Sequence, residues 1–156
     1  VKSVSAAVAG ARFLLSAPEV HANASGWTSF STLGLTEYWI ESGRGTDFYI
    51  SCDIEASAKT GATTAIVVLI GNRDPEPGSR VTIMVDNDAF AFDVSSISMI
   101  PTDCATCSAT FKALWTRLRA AHSMSVRYAD GQSASFSLDG IAAVLPATPC
   151  KTGFDD

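Results

Sequence analysis

The chain has 156 residues, 47% of them hydrophobic, and a formal net charge of −5. That length suits one domain with a sizeable core, and the apolar share excludes a chain that stays disordered. The acidic balance would repel a phosphate backbone, which argues against a nucleic-acid partner. The longest apolar run, Ala65–Ile70, is far too short to serve as an integral membrane segment.

Residues 1–24, "VKSVSAAVAGARFLLSAPEVHANA", open with Lys2 and continue with small and apolar residues. Val20-His21-Ala22 and Ala22-Asn23-Ala24 each offer small or aliphatic residues where a signal peptidase cuts. The segment predicts a signal peptide and a periplasmic or secreted protein, although Arg12 interrupts the apolar stretch and an ordinary N-terminal helix is the competing reading. Residues 25–156 are then a single β-rich domain.

Within that domain, "TEYWIES" (36–42) puts Tyr38 and Ile40 on one face and Trp39 on the other. "DFYISCD" (47–53) alternates Phe48, Ile50 and Cys52 against Tyr49 and Ser51. This period of two marks half-buried strands, with "SGRG" (42–45) as the turn between them. "TTAIVVLIG" (63–71) predicts a central strand, and "RDPEPGS" (73–79) a turn, because its prolines cannot continue a ladder. "RVTIMVD" (80–86) and "AFAFDV" (89–94) read as a hairpin about the acidic turn 86–88.

Phe111, Leu114, Trp115 and Leu118 fall at i, i+3, i+4 and i+7, the apolar stripe of a helix over about 107–121, capped by Thr106 or Ser108. "SMSVRYADGQSASFSL" (123–138) reads as a hairpin with a type I′ turn at Asp130-Gly131. Many short strands and one late helix predict a mainly β fold, an antiparallel β-sandwich or barrel-like domain whose helix covers an open end or edge.

The cysteines are Cys52, Cys104, Cys107 and Cys150. An even count behind an export signal suggests two disulfides. Of the three connectivities, Cys104–Cys107 with Cys52–Cys150 is favoured, because the second bridge anchors the tail "PATPCKTGFDD". The Cys-x-x-Cys spacing also admits a thiol–disulfide exchange site, since a helix N-terminus favours a thiolate. A zinc site would need two more ligands, and only His122, Cys52 and Cys150 remain to offer them. The surroundings of Cys104 and Cys107 do not form a thioredoxin-like βαβ unit, so a structural bridge is the better reading.

No catalytic set emerges. His122, the sole histidine outside residues 1–24, falls where it meets the helix dipole, and no G-x-S-x-G elbow is present. Asp86, Asp88 and Asp93 lack the glycine and late glutamate of a calcium loop. Neither a metal nor a cofactor is expected. Trp27, Trp39 and Tyr49 form a candidate binding surface, because aromatic residues anchor interfaces, while packing is the alternative for each.

The order of elements in "CATCSATFKALWTRLRAAHSMSVRYADGQSASFSLDGIAAVL", with "YISCD" and "GSRVTIMVDNDAF" upstream, resembles the bacterial invasion-associated locus B family over residues 36–145. That resemblance implies an exported β-sandwich-like protein, sometimes linked to host-cell interaction, with no established catalytic residues. The expectation is an exported, non-enzymatic protein that binds an unidentified protein or envelope partner. A redox protein using Cys104 and Cys107, or an inhibitor or immunity protein of a secreted enzyme, are the alternatives.

Overall fold

In a computed structural model, the structure describes residues 20–22 and 26–155. Apart from Val20–Ala22, the segment 1–24 for which the sequence predicts a signal peptide lies outside the described residues. In chain order the elements are β1 (Val20–Ala22), β2 (Thr28–Thr32), β3 (Leu35–Glu41), β4 (Asp47–Asp53), β5 (Ala65–Leu69), β6 (Arg80–Val85), β7 (Asp88–Asp93) and β8 (Ile100–Pro101). They continue with α1 (Ala105–Leu118), β9 (Ser123–Arg127), β10 (Ser133–Ser137) and α2 (Ile141–Val144). The strands form two antiparallel sheets, β1-β2-β3-β4-β5-β8 and β10-β9-β6-β7. Neither closes into a barrel, so the fold is the sandwich alternative of the sequence expectation.

The alternation read from sequence sets the inward faces. Tyr38, Ile40, Phe48, Ile50, Cys52, Ile66 and Val68 of the first sheet are buried, as are Val81, Ile83, Val85, Phe92, Met124, Val126 and Phe136 of the second. All of them belong to one hydrophobic cluster. Such sheet-on-sheet burial is the dominant stabilising term of a sandwich.

The stripe on α1 completes the core, with Phe111, Leu114, Trp115 and Leu118 fully buried. Trp115 meets Tyr38 of the first sheet edge-on at 5.6 Å and donates its indole N–H to Pro146 O at 2.9 Å. From the same helix, Arg117 reaches Asp88 at the β6–β7 turn, 2.6 Å away. The helix therefore touches both sheets and covers the end of the sandwich marked by that turn.

Several local expectations need correction. The helix begins two residues before 107 and ends at Leu118, and its cap is Cys104 rather than Thr106 or Ser108. The Cys104 sulfur accepts the Cys107 N–H at 3.0 Å, so the position that would need a hydroxyl is already served. The 123–138 hairpin does not use a type I′ turn, which requires positive φ at both central residues. Only Gly131 has it, at 89°. Tyr128 N donates to Gln132 O and Gly131 N to Tyr128 O, which gives a longer loop with glycine in the left-handed position. The sequence reading also lacked β2, the short β1 and β8, and α2.

The edge strand β10 is blunted by the opposite sheet's side of the molecule. Ser42 Oγ donates to Ser135 O, and Trp27 Nε1 donates to Ser137 O at 2.8 Å. Satisfying carbonyls at a free edge removes a template for unwanted strand pairing.

Cys52 is bridged to Cys150, 98 residues away, and Cys104 to Cys107, three residues away. The first bridge fixes the end of β4 to the segment after α2. In the chain-entropy view a loop of that size contributes about 4–5 kcal/mol, and a ring as small as the second about 2 kcal/mol. Replacing Cys52 and Cys150 together with serine should therefore cost more stability in urea unfolding than replacing Cys104 and Cys107. Equal losses from the two pairs would show that loop closure is not what the long bridge contributes.

Candidate functional site

The outward face of the first sheet follows from the same register that builds the core. Thr28, Trp39, Tyr49 and Val67 are successive cross-strand neighbours on β2, β3, β4 and β5. Beside that row, Phe30 faces Glu37, and on its other side Glu41 faces Asp47. Because Tyr38, Ile40, Phe48 and Ile50 point inward, these residues must point out.

Thr28, Phe30, Glu37, Trp39, Asp47 and Tyr49 line a shallow depression of about 310 Å³. Trp39 is 44% exposed, whereas Phe30 and Tyr49 are half-buried. The Trp39 indole N–H donates to Asp47 Oδ1 at 3.2 Å, which fixes the ring beside a carboxylate. Partial burial pushes the Tyr49 hydroxyl above its ordinary pKa, and the negative charges of Glu37, Asp74 and Asp47 push it further. The surroundings of Tyr49 are thus electronegative.

Of the predicted surface, the fold brings together Trp39 and Tyr49 but not Trp27. Trp27 is fully buried, packs edge-on against Phe48 at 6.3 Å, and spends its N–H on Ser137 O. It precedes β2 and falls into no periodic pattern that sequence reading could use. Phe30, Glu37 and Asp47 were not singled out from sequence. Their signal was the pairing partner of each, which needs the register of β2, β3 and β4.

A second feature lies at the start of α1. Cys104 is exposed and Cys107 half-buried. The C-terminal tail packs beside them: Ser108 Oγ and Thr152 Oγ1 are 2.8 Å apart and buried, and Lys112 pairs with Asp155. A Cβ at Gly153 would come within 2.8 Å of Asp103 Cβ, so glycine permits the close approach. All four cysteines are in disulfides, and no group of three or more metal-ligating side chains gathers among the described residues.

The acidic turn is occupied by the chain's own donors. Asp86 Oδ1 accepts from His122 N, Ser123 N and Ser123 Oγ at 3.2–3.3 Å, Asp88 pairs with Arg117, and Asp93 with Arg80 at 2.8 Å. His122 is exposed and has its backbone N–H on Asp86. A further depression of about 420 Å³ lies between the 73–79 loop and Tyr128–Asp130, spanned by the Arg73–Asp130 ion pair. It carries no convergent nucleophile, base or ligand set.

The family model that matches this chain is YfjT, over residues 25–145. The chain belongs to the YfjT family. This match overturns the resemblance to the invasion-associated locus B family, which rested on an order of elements. A turn, a helix and a hairpin in sequence satisfy general packing rules, so that order does not specify one family. No curated protein and no solved structure matches the chain. Among the described residues of this YfjT-family chain, no helix is long and apolar enough to cross a membrane.

The acids that hold the fold predict a pH response. Partial burial raises the Asp155 pKa, but hydrogen bonds from Lys112 and Thr152 outweigh it and hold the carboxyl below its ordinary value. Asp86 is likewise held low, its desolvation outweighed by the Ser123 and His122 donors. A depressed folded pKa contributes stability above the unfolded value of about 3.9 that is lost as pH falls through the folded one. Unfolding free energy should therefore drop below about pH 4, and Asp155→Asn should flatten that drop while lowering stability at neutral pH. An unchanged acid limb in the variant would remove Asp155 from the account.

Proposed function

We propose that this YfjT-family chain is a non-catalytic binding protein that works in the periplasm or outside the cell. The observation that carries the binding part is the outward row of Trp39 and Tyr49. It lies outside the hydrophobic cluster, on a face that the sandwich does not need for its core. Large aromatic side chains held on rigid strands anchor partners at low entropic cost. Two disulfides fit an oxidising compartment, and the family match begins where the leader reading ends. Cleavage after Ala24 would remove β1 and leave β2, which carries Phe30, as a free edge.

A photo-crosslinking residue at Tyr49, expressed in the native host, should give discrete adducts in the envelope or extracellular fraction. The same residue at the exposed Ala91 of β7 should not. Mass spectrometry of that material should find a new N-terminus near Asn23 or Ser25. Absence of Tyr49 adducts would refute the binding reading, and an exported chain intact from Val1 would refute the leader.

One observation favours a second reading, thiol–disulfide exchange: Cys104 is exposed and sits as the cap of α1. In the dithiol form its thiolate would attack a partner disulfide, and Cys107 would then release the reduced partner and restore the bridge. The rate of alkylation of Cys104 after mild reduction, followed against pH, decides between the readings. A midpoint near about 8.5 without insulin reduction is expected for an inert bridge. A midpoint near about 7 or lower, with reduction of insulin, would establish exchange.

A further inference from the structure

The depression on the outer face of the first sheet combines two chemistries. Its floor is aromatic, from Phe30, Trp39 and Tyr49, and carboxylates stand at Glu37 and Asp47. Glu41 lies directly opposite Asp47 in the ladder, which adds a third acid to the same face. Among the described residues, no lysine or arginine forms an ion pair with any of the three. The ion pairs of Arg73, Arg80, Lys112 and Arg117 are made elsewhere, with Asp130, Asp93, Asp155, Asp86 and Asp88. Nor do the rings satisfy one another, since the ring contacts of the fold are Trp27–Phe48, Tyr38–Trp115, Phe48–Phe136 and Phe111–Trp115. Among these residues, then, neither Trp39 nor Tyr49 takes part in a ring–ring pair, and the three acids beside them have no cationic partner.

Like charges directly opposite one another on a strand pair are destabilising. Glu41 and Asp47 sit that way with no cation between them. A cation placed over Trp39 would face an electron-rich ring and be flanked by carboxylates, the arrangement that recognises guanidinium and ammonium groups. A second copy of this chain would bring acids against acids, so charge opposes self-association through this face.

We infer that the Trp39–Tyr49 face docks an arginine- or lysine-bearing segment of a partner protein, with the cationic head over the aromatic floor and between Glu37 and Asp47. This rests on the binding reading above and names the chemistry of its partner. The space of about 310 Å³ is of a size to take one long basic side chain together with part of its backbone.

The test uses the oxidised protein and two short synthetic peptides of equal length, one carrying two arginines and the other citrulline in their place. Binding is followed by NMR through the indole N–H resonances, of which the one from Trp39 is the exposed reporter. The arginine peptide should shift the Trp39 signal, with an affinity that falls as salt rises, and the citrulline peptide should not. Trp39→Ala, which lacks the reporter and is followed instead by titration calorimetry with the same arginine peptide, should weaken binding by about 2- to 30-fold, the range of a cation over an aromatic face. Glu37→Gln and Asp47→Asn should each weaken it, and Asp93→Asn on the other sheet should leave it unchanged.

Equal binding of both peptides, or an equal loss from Asp93→Asn, would overturn the inference in favour of non-specific attraction to an acidic protein. Shifts at Trp39 with a neutral oligosaccharide and none with the arginine peptide would overturn it in favour of a sugar platform. Tyr49 crosslinks whose mass is that of two copies of this chain would overturn it in favour of self-association. Crosslinks to another protein without arginine-peptide binding would defeat only this inference. Absence of crosslinks would defeat the binding reading itself.

Discussion

The contact on which most of the architecture depends is the seat of Trp115. Its ring lies between Phe111 of its own helix and Tyr38 of the first sheet, at 5.8 and 5.6 Å, and its N–H is spent on Pro146 O. One side chain thus joins the helix, a sheet and the segment leading to Cys150. An indole buried this completely stabilises through its area, and its single donor must be paired to avoid a desolvation cost of about 1–3 kcal/mol. The Pro146 carbonyl meets that need, which in turn sets where the tail runs. Cys150 then lies close enough to Cys52 to be bridged, and Thr152 and Asp155 come to rest against Ser108 and Lys112.

This order of dependence explains what could be read from the sequence. The strands from 36 to 53 and from 80 to 94 were legible because each alternates cleanly, and a period of two leaves one face for the core. The stripe on α1 was legible for the same reason at a period near four. In contrast, "TSFST" in β2 has one large apolar residue among four small hydroxyl-bearing ones, and it becomes a strand through pairing with β3 rather than by its own pattern. The short β1 and β8 depend likewise on their neighbours. Cys104 as helix cap was missed because a cysteine is not among the usual capping residues. Its position is set by the bridge to Cys107.

The same limits apply to the candidate site. Alternation separated Trp39 from Tyr38 and Tyr49 from Phe48, so the outward aromatics could be found from sequence. That they stand side by side, next to Phe30 and between Glu37 and Asp47, is a matter of register across three strands. Trp27 illustrates the converse. Composition made it a candidate surface aromatic, but it sits directly ahead of β2 and is fully buried against Phe48. There, its N–H closes the edge of β10.

A purely architectural explanation of the outer aromatic row would have to come from cross-strand pairing, which contributes about 0.2–1 kcal/mol per favourable pair. That gain needs the side chains to touch. Trp39 and Tyr49 are direct neighbours in the ladder, yet their rings are not among the aromatic contacts of the fold, and Trp39 instead turns its N–H to Asp47. The neighbouring acids add repulsion where an unneeded surface would be expected to mix signs. Neither Trp39 nor Tyr49 belongs to the inward cluster. The outer row is thus set by the register of the first sheet, whereas the acids of the β6–β7 turn are engaged by the chain's own donors.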